Sequence, residues 1–202
     1  MIDSFFDLMS RGGPVMWVIF ITAWVALILL VERTLRIQSW LKLALKDQDG
    51  FLHDPKYVPN HQDVRGGSPV SMVLDKISWD EVKTSEDFGK QLNIHLADMM
   101  PKLEGMLPTV SIIGSLLPML GLLGTVTGMI EVFQVIAIHG TGNPEEMAHG
   151  ISQALLTTAS GLIIAIPVIF SHHLLTRRLR LLLSVTEQSM HVVYKRGLGL
   201  RP

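Results

Sequence analysis

Two long stretches without Asp, Glu, Lys or Arg stand back to back in the second half of the chain, and they constrain its fold more than any other feature. Residues 105–130 form one run of 26 residues and residues 147–176 another of 30. At about 1.5 Å per residue, either run is long enough as a helix to cross the ~30 Å hydrocarbon core of a bilayer. The short polar turn His139-Gly140-Thr141-Gly142-Asn143-Pro144 separates them, so the pair is predicted to be a membrane hairpin. A third uncharged run covers residues 12–31 and contains Trp17 and Trp24. Soluble domains carry roughly 25% charged residues, whereas this chain of 202 carries 17%, with 48% apolar. The predicted class is an all-α integral membrane protein with three transmembrane helices and long cytoplasmic extensions.

Neither hairpin run is a plain apolar anchor. The first holds Gly114, Gly121, Gly124 and Gly128, the hydroxyls of Ser111, Ser115, Thr125 and Thr127, and Pro118 in its middle. The second holds Gln153, Thr157, Thr158, Ser160, Gly161 and Pro167. Small residues let membrane helices approach closely and hydroxyls there need partners, so both helices are expected in a bundle, with Gly121, Gly124, Gly128 and Gly161 serving helix packing. Thr125 lies 17 residues before Gly142 and Thr158 lies 16 after it. In antiparallel helices of equal rise the two threonines then fall at nearly one depth, and a shared polar layer is expected. The alternative is that each hydroxyl bonds a carbonyl of its own helix.

Charge sets the predicted orientation. With three spans, the N-terminus and the 139–147 turn share one side, which has a single basic residue, Arg11; the other side has the remaining 16 of the 17. Lys and Arg concentrate on the cytoplasmic side, so the N-terminus is expected to be periplasmic and the C-terminus cytoplasmic. The expected layout is a periplasmic interfacial helix (1–11), a first span (12–31), a cytoplasmic helical segment (32–104), a second span (105–138), a periplasmic turn (139–147), a third span (148–176) and a cytoplasmic helix and tail (177–202). The first span is read as uncleaved, because Glu32-Arg33 follows it and no small-x-small site does.

Within the 32–104 segment, Leu35, Ile37, Leu41 and Leu45 are expected to continue an amphipathic helix, and residues 49–67, with Pro55, Pro59 and Gly66-Gly67, read as a loop. Ser68-Pro69 is a helix start. Thr84-x-x-Asp87 is a capping box opening a helix through Leu92, His95, Leu96 and Met99, with Pro101 as a possible kink. The absence of cysteine excludes disulfides and Cys-ligated sites. The eight histidines show no metal-ligand spacing, and Gly66-Gly67 lacks the context of a phosphate loop. No metal, no cofactor, no enzymatic activity and no nucleic-acid partner are expected.

The residues Gly121-Leu-Leu-Gly-Thr-Val-Thr-Gly128 and Ile151-Ser-Gln-Ala-Leu-Leu-Thr-Thr-Ala-Ser-Gly-Leu162, with Ala165-Ile-Pro167, resemble the second and third membrane segments of the ExbB/TolQ/MotA proton-channel family. Gly12-Gly13-Pro14 and Glu32-Arg33 around the first span are similar to ExbB and TolQ as well, and the three-span layout is nearer to those two, ExbB first, than to four-span flagellar stators. The resemblance implies a pentameric ring in the bacterial inner membrane, an ExbD- or TolR-like single-span partner with a membrane Asp in the ring's pore, and proton flow that drives a TonB- or TolA-like protein. By matching positions, Thr125 and Thr158 correspond to pore-facing threonines; Gln153, Ser111 and Ser115 join them as expected pathway residues. ExbB proteins commonly have a glutamate where this chain has Gln153.

The residues lead to a compatible requirement. No Asp, Glu or Lys lies in the centre of the spans, and Glu131 is near the outer end of the second. Ionisable groups within spans mark proton relays, so a central relay must come from a partner. The rival reading is a non-conducting scaffold, and a TolQ-like role in envelope maintenance or gliding stands beside the ExbB-like one.

Overall fold

The computed structural model describes residues 2–53, 67–78, 80–140 and 144–195, and the regular structure among them is entirely helical. The helices are α1 (Ile2–His53), α2 (Pro69–Leu74), α3 (Ser85–Glu104), α4 (Leu107–His139) and α5 (Pro144–Lys195). Three stretches, Leu8–His53, Leu107–His139 and Pro144–Lys195, are long and apolar enough to cross a membrane. The turn between α4 and α5 is therefore narrower than 139–147, because Pro144 already starts a helix, as its fixed φ favours. The chain forms two compact units: Met1–Val31 with Met106–His173, and Glu32–Gly105 with Leu174–Pro202.

In the first unit, α1 breaks at Gly13, whose φ of 65° and ψ of −165° are not helical. Only glycine adopts that φ without strain from a Cβ, and Pro14 then opens the next helical stretch, so Gly12-Gly13-Pro14 interrupts the helix. Beyond the break Val15, Met16, Ile19, Ala26 and Leu30 are buried, while Trp17, Ile21, Trp24 and Ile28 are exposed. Helix α4 buries Leu107, Val110, Ile113, Gly114, Leu117, Gly121, Gly124, Gly128 and Val132. These fall three or four residues apart on one face. Helix α5 answers with Gly150, Gln153, Ala154, Thr157, Gly161, Ala165 and Val168. The outward residues Met119, Leu122, Phe133, Leu155, Ile163, Ile166 and Phe170 are 63–69% exposed, as suits a surface meeting lipid or further protein rather than water.

Glycines set the α4–α5 distance. A Cβ on Gly121 would stand 3.0 Å from the Thr158 Cα, one on Gly161 2.6 Å from the Leu117 carbonyl oxygen, and one on Gly128 2.7 Å from that of Gly150. The backbones thus touch at three levels along the seam, a packing open only to residues without side chains.

The second unit gathers the part of α1 from Glu32, α2, α3 and the part of α5 from Leu174. Its core includes Ile37, Ala44 and Phe51 from α1, Val70 and Val73 from α2, Phe88, Leu92, Met99 and Leu103 from α3, and Leu179, Leu182, Val185 and Met190 from α5. The buried stripe of α1 differs from the expected one. Ile37 is buried, but Leu35 and Leu45 are exposed; the line runs instead through Ala44, Asp47 and Phe51. Asp47 is tolerated there because Ser68 Oγ donates to its carboxylate. The helix also continues through Asp49 to His53, correcting the loop reading for those five residues, since Phe51, 3% exposed, fixes that turn in the core. Residues 54–66 of the expected loop lie outside the described residues.

Both predicted helix starts are present. Ser68 caps α2, its Oγ accepting from the Ser71 N–H at 3.3 Å. At α3 the Asp87 N–H donates to Thr84 Oγ1 and the Thr84 N–H donates to Asp87 Oδ2, each at 3.1 Å, the reciprocal bonding of a capping box. Pro101 lies inside α3, which ends at Gly105 with φ 50°. Phe88 stacks on Tyr194 at 4.5 Å and meets His191 edge-on at 5.8 Å. The Arg33 guanidinium, 6% exposed, fills the space over Gly105 that a Cβ there would need.

Candidate functional site

The polar groups of the first unit lie along the α4–α5 hairpin and are divided between its seam and its open faces. Inside the seam, Thr158 Oγ1 donates across to the Gly121 carbonyl at 2.9 Å. Thr157, fully buried, donates to the carbonyls of Gln153 and Ala154, each at 3.0 Å, and its side chain occupies the space that a Cβ on Gly124 would require. Here the missing side chain of a glycine makes room for a hydroxyl rather than for backbone.

On the neighbouring face of α4, Ser111, Ser115 and Thr125 fall on one stripe with Leu122 and Met129, at helical spacings of three, four or their sums. Ser111 and Ser115 are exposed and Thr125 is half-buried. Ser115 Oγ donates to the Ile112 carbonyl at 2.8 Å and Thr125 Oγ1 to that of Leu122 at 2.6 Å. Both hydroxyls donate to a carbonyl of their own helix.

Thr125 and Thr158 therefore do not share one layer. Thr158 stands level with Gly121, one helical turn from Thr125, and each hydroxyl has a different backbone acceptor. The even count about Gly142 places them level only if the turn's midpoint fixes the register. The glycine contacts fix it instead, pairing Gly121 with Thr158 and Gly128 with Gly150.

Gln153 is 3% exposed and its Nε2 donates to Glu131 Oε1 of α4 at 3.4 Å. The same amide packs against Gly13, where a Cβ would stand 2.5 Å from Nε2. Gln153 thus joins all three helices of the unit at the break in α1. Glu131 as its partner was missed in the sequence, yet the signal was present: Glu131 lies 11 residues before Gly142 and Gln153 lies 11 after it. Side chains of this length span the small offset in register that separates the shorter threonines.

The sequence that builds this hairpin is similar to that of known proteins. The MotA/TolQ/ExbB proton channel family matches residues 68–188, more than half of the chain. The chain belongs to this family. Among individual members, it is 30% identical over 189 residues to the biopolymer transport protein exbB1 of Vibrio cholerae, covering 86% of this chain and 80% of that one. It is 32% identical over 118 residues to the Tol-Pal system protein TolQ of Pseudomonas aeruginosa, covering 58% and 51% respectively. The biopolymer transport protein ExbB of Aquifex aeolicus is 37% identical over 84 residues, 42% of this chain and 57% of that one. The match to the MotA/TolQ/ExbB family takes in α2, α3, the whole hairpin and most of α5, so it includes every hydroxyl and glycine of the hairpin described above.

Proposed function

We propose that this chain is an ExbB-like channel subunit of the bacterial inner membrane, forming a pentameric ring whose α4 and α5 line a central pore around single-span partners of the ExbD or TolR type. The partner's membrane Asp carries the proton across the centre, and the flow energises a TonB-like transducer for outer-membrane transport. The reading is carried by one observation. The hairpin keeps its glycines for the seam while Ser111, Ser115 and Thr125 lie on the adjoining open stripe, in helices whose centres hold no acid of their own. A row of hydroxyls without a resident carboxylate suits a surface that serves someone else's. Each hydroxyl both donates and accepts, so it can meet a carboxyl in the protonated and the ionised form alike. The N-terminus and the α4–α5 turn are assigned to the periplasm on the division of basic residues.

The test compares two valine variants in complexes rebuilt with the single-span partner. Thr125→Val keeps shape and leaves the seam untouched, so the ring should assemble normally while proton flux into liposomes drops sharply. Thr158→Val removes an interhelical bond of on the order of 0.6 kcal/mol, so it should lower thermal stability slightly as well as flux. If both variants conduct like the parent, the hydroxyls serve packing alone and the scaffold reading replaces this one.

A further inference from the structure

We infer that Glu131 and Gln153 form a protonatable station at the turn end of the membrane unit, loaded from a cavity between α4 and α5; the inference rests on the channel reading above. The cavity measures about 360 Å³ and is lined by Glu131, Gln134 and His139 of α4 and by Glu146 and His149 of α5. Glu131 lies eight residues before the end of α4, or about 12 Å along the axis. It is the deepest carboxylate of the hairpin, and the uncharged run 105–130 begins beyond it. The cavity brings two imidazoles and a second carboxylate to its mouth.

The pairing with Gln153 distinguishes Glu131 from an ordinary surface acid. Gln153 is almost wholly buried and donates from Nε2 to the Glu131 carboxylate. A carboxamide has a donor end and an acceptor end. When Glu131 takes up a proton from the cavity, the amide can turn over and accept the new O–H at Oε1. The pair therefore persists in both charge states, and the carboxyl is held at one place while its charge changes. The balance is simple: one proton enters from cavity water to give the neutral acid, and the same proton leaves to the partner's carboxylate deeper in the span. Glu131 carries the proton, and Gln153 is a positioning residue.

The experiment uses the complete complex with its single-span partner in liposomes, with proton flux recorded against the pH on the cavity side. Glu131→Gln preserves the size and hydrogen bonding of the side chain but cannot titrate. It should assemble normally, lose most of the flux and lose its dependence on cavity-side pH. Gln153→Glu sets two carboxyls within reach of each other, which then titrate as a pair, so the midpoint of the flux profile should move to higher pH. A merely structural Gln153 would change the amount of assembled complex and leave that midpoint in place.

Parent-like flux and pH profile in Glu131→Gln, with a conducting parent, overturn the station and leave the channel reading intact. A parent complex that does not conduct overturns the channel reading. The station is then judged by infrared difference spectra of the purified protein, where acid should raise a carboxyl stretch that is missing in Glu131→Gln and displaced in Gln153→Leu. Identical spectra in parent and variants overturn it.

Discussion

At the scale of single residues, what matters is where each polar group finds its partner. Thr84 and Asp87 provide the most local case. The Thr84 hydroxyl, donating to Asp87 Oδ2 at 2.8 Å, is the main cause that holds the Asp87 carboxyl below its ordinary value, helped by backbone N–H groups and by Lys90. A carboxyl with a depressed folded-state pKa stabilises the fold above its unfolded value and loses that contribution as pH falls through the folded one. The first turn of α3 should therefore fray in acid below the ordinary carboxylate range, seen as loss of amide protection at Asp87 and Phe88 after correction for intrinsic exchange. Thr84→Ala should weaken this pH dependence, leaving the part due to the backbone N–H groups and Lys90, and loss of the N-cap hydroxyl should itself cost about 1 kcal/mol. Protection that is independent of pH in the parent would mean that the box contributes nothing.

At the scale of elements, glycines inside helices sort by what stands beside them. Gly89 in α3 has nothing within 4 Å of where a Cβ would be, so Gly89→Ala should stabilise the second unit by about 0.5–1 kcal/mol through helix propensity. Gly161→Ala adds the same methyl group where it meets the Leu117 carbonyl at 2.6 Å, and α4 and α5 must move apart. Its melting temperature should fall while that of Gly89→Ala rises, and a shift of the same sign in both would refute the division. The elements themselves were largely readable. Three membrane-length helices follow from runs without charge, and the starts at Ser68 and Thr84 follow from bonds that reach three residues ahead. The end of α1 was not readable, because Asp49 and Gly50 look like a turn until Phe51 is seen in the core. Asp47 and Ser68 are 21 residues apart and no local pattern joins them, whereas Glu131 and Gln153, 22 apart, are joined only by their equal distance from the turn. Of the site, the hydroxyls and glycines were legible as types; which of them meet the seam depended on a register set by backbone contacts.

At the scale of the whole molecule, the absence of cysteine makes sidedness directly testable. Glu145→Cys, at the start of α5, should react with an impermeant thiol reagent added to intact spheroplasts, whereas Lys83→Cys, exposed before α3, should react only after lysis. Labelling of Lys83→Cys in intact cells would reverse the orientation. The apolar outer faces of α4 and α5 call for lipid or sister subunits in any orientation. One small feature has a longer reach. Arg33 and Gly105 are 72 positions apart in the chain, yet the guanidinium of one takes the volume denied to the other's side chain. Enlarging position 105 evicts the arginine, and shortening the arginine empties the space beside the turn. A small residue at 33 frees the volume but not the backbone: Gly105 holds a φ of 50°, so a larger residue there is strained whatever stands at 33. In a randomised library under selection, position 105 should therefore keep its glycine whichever residue position 33 carries, and that glycine in turn leaves room for the arginine.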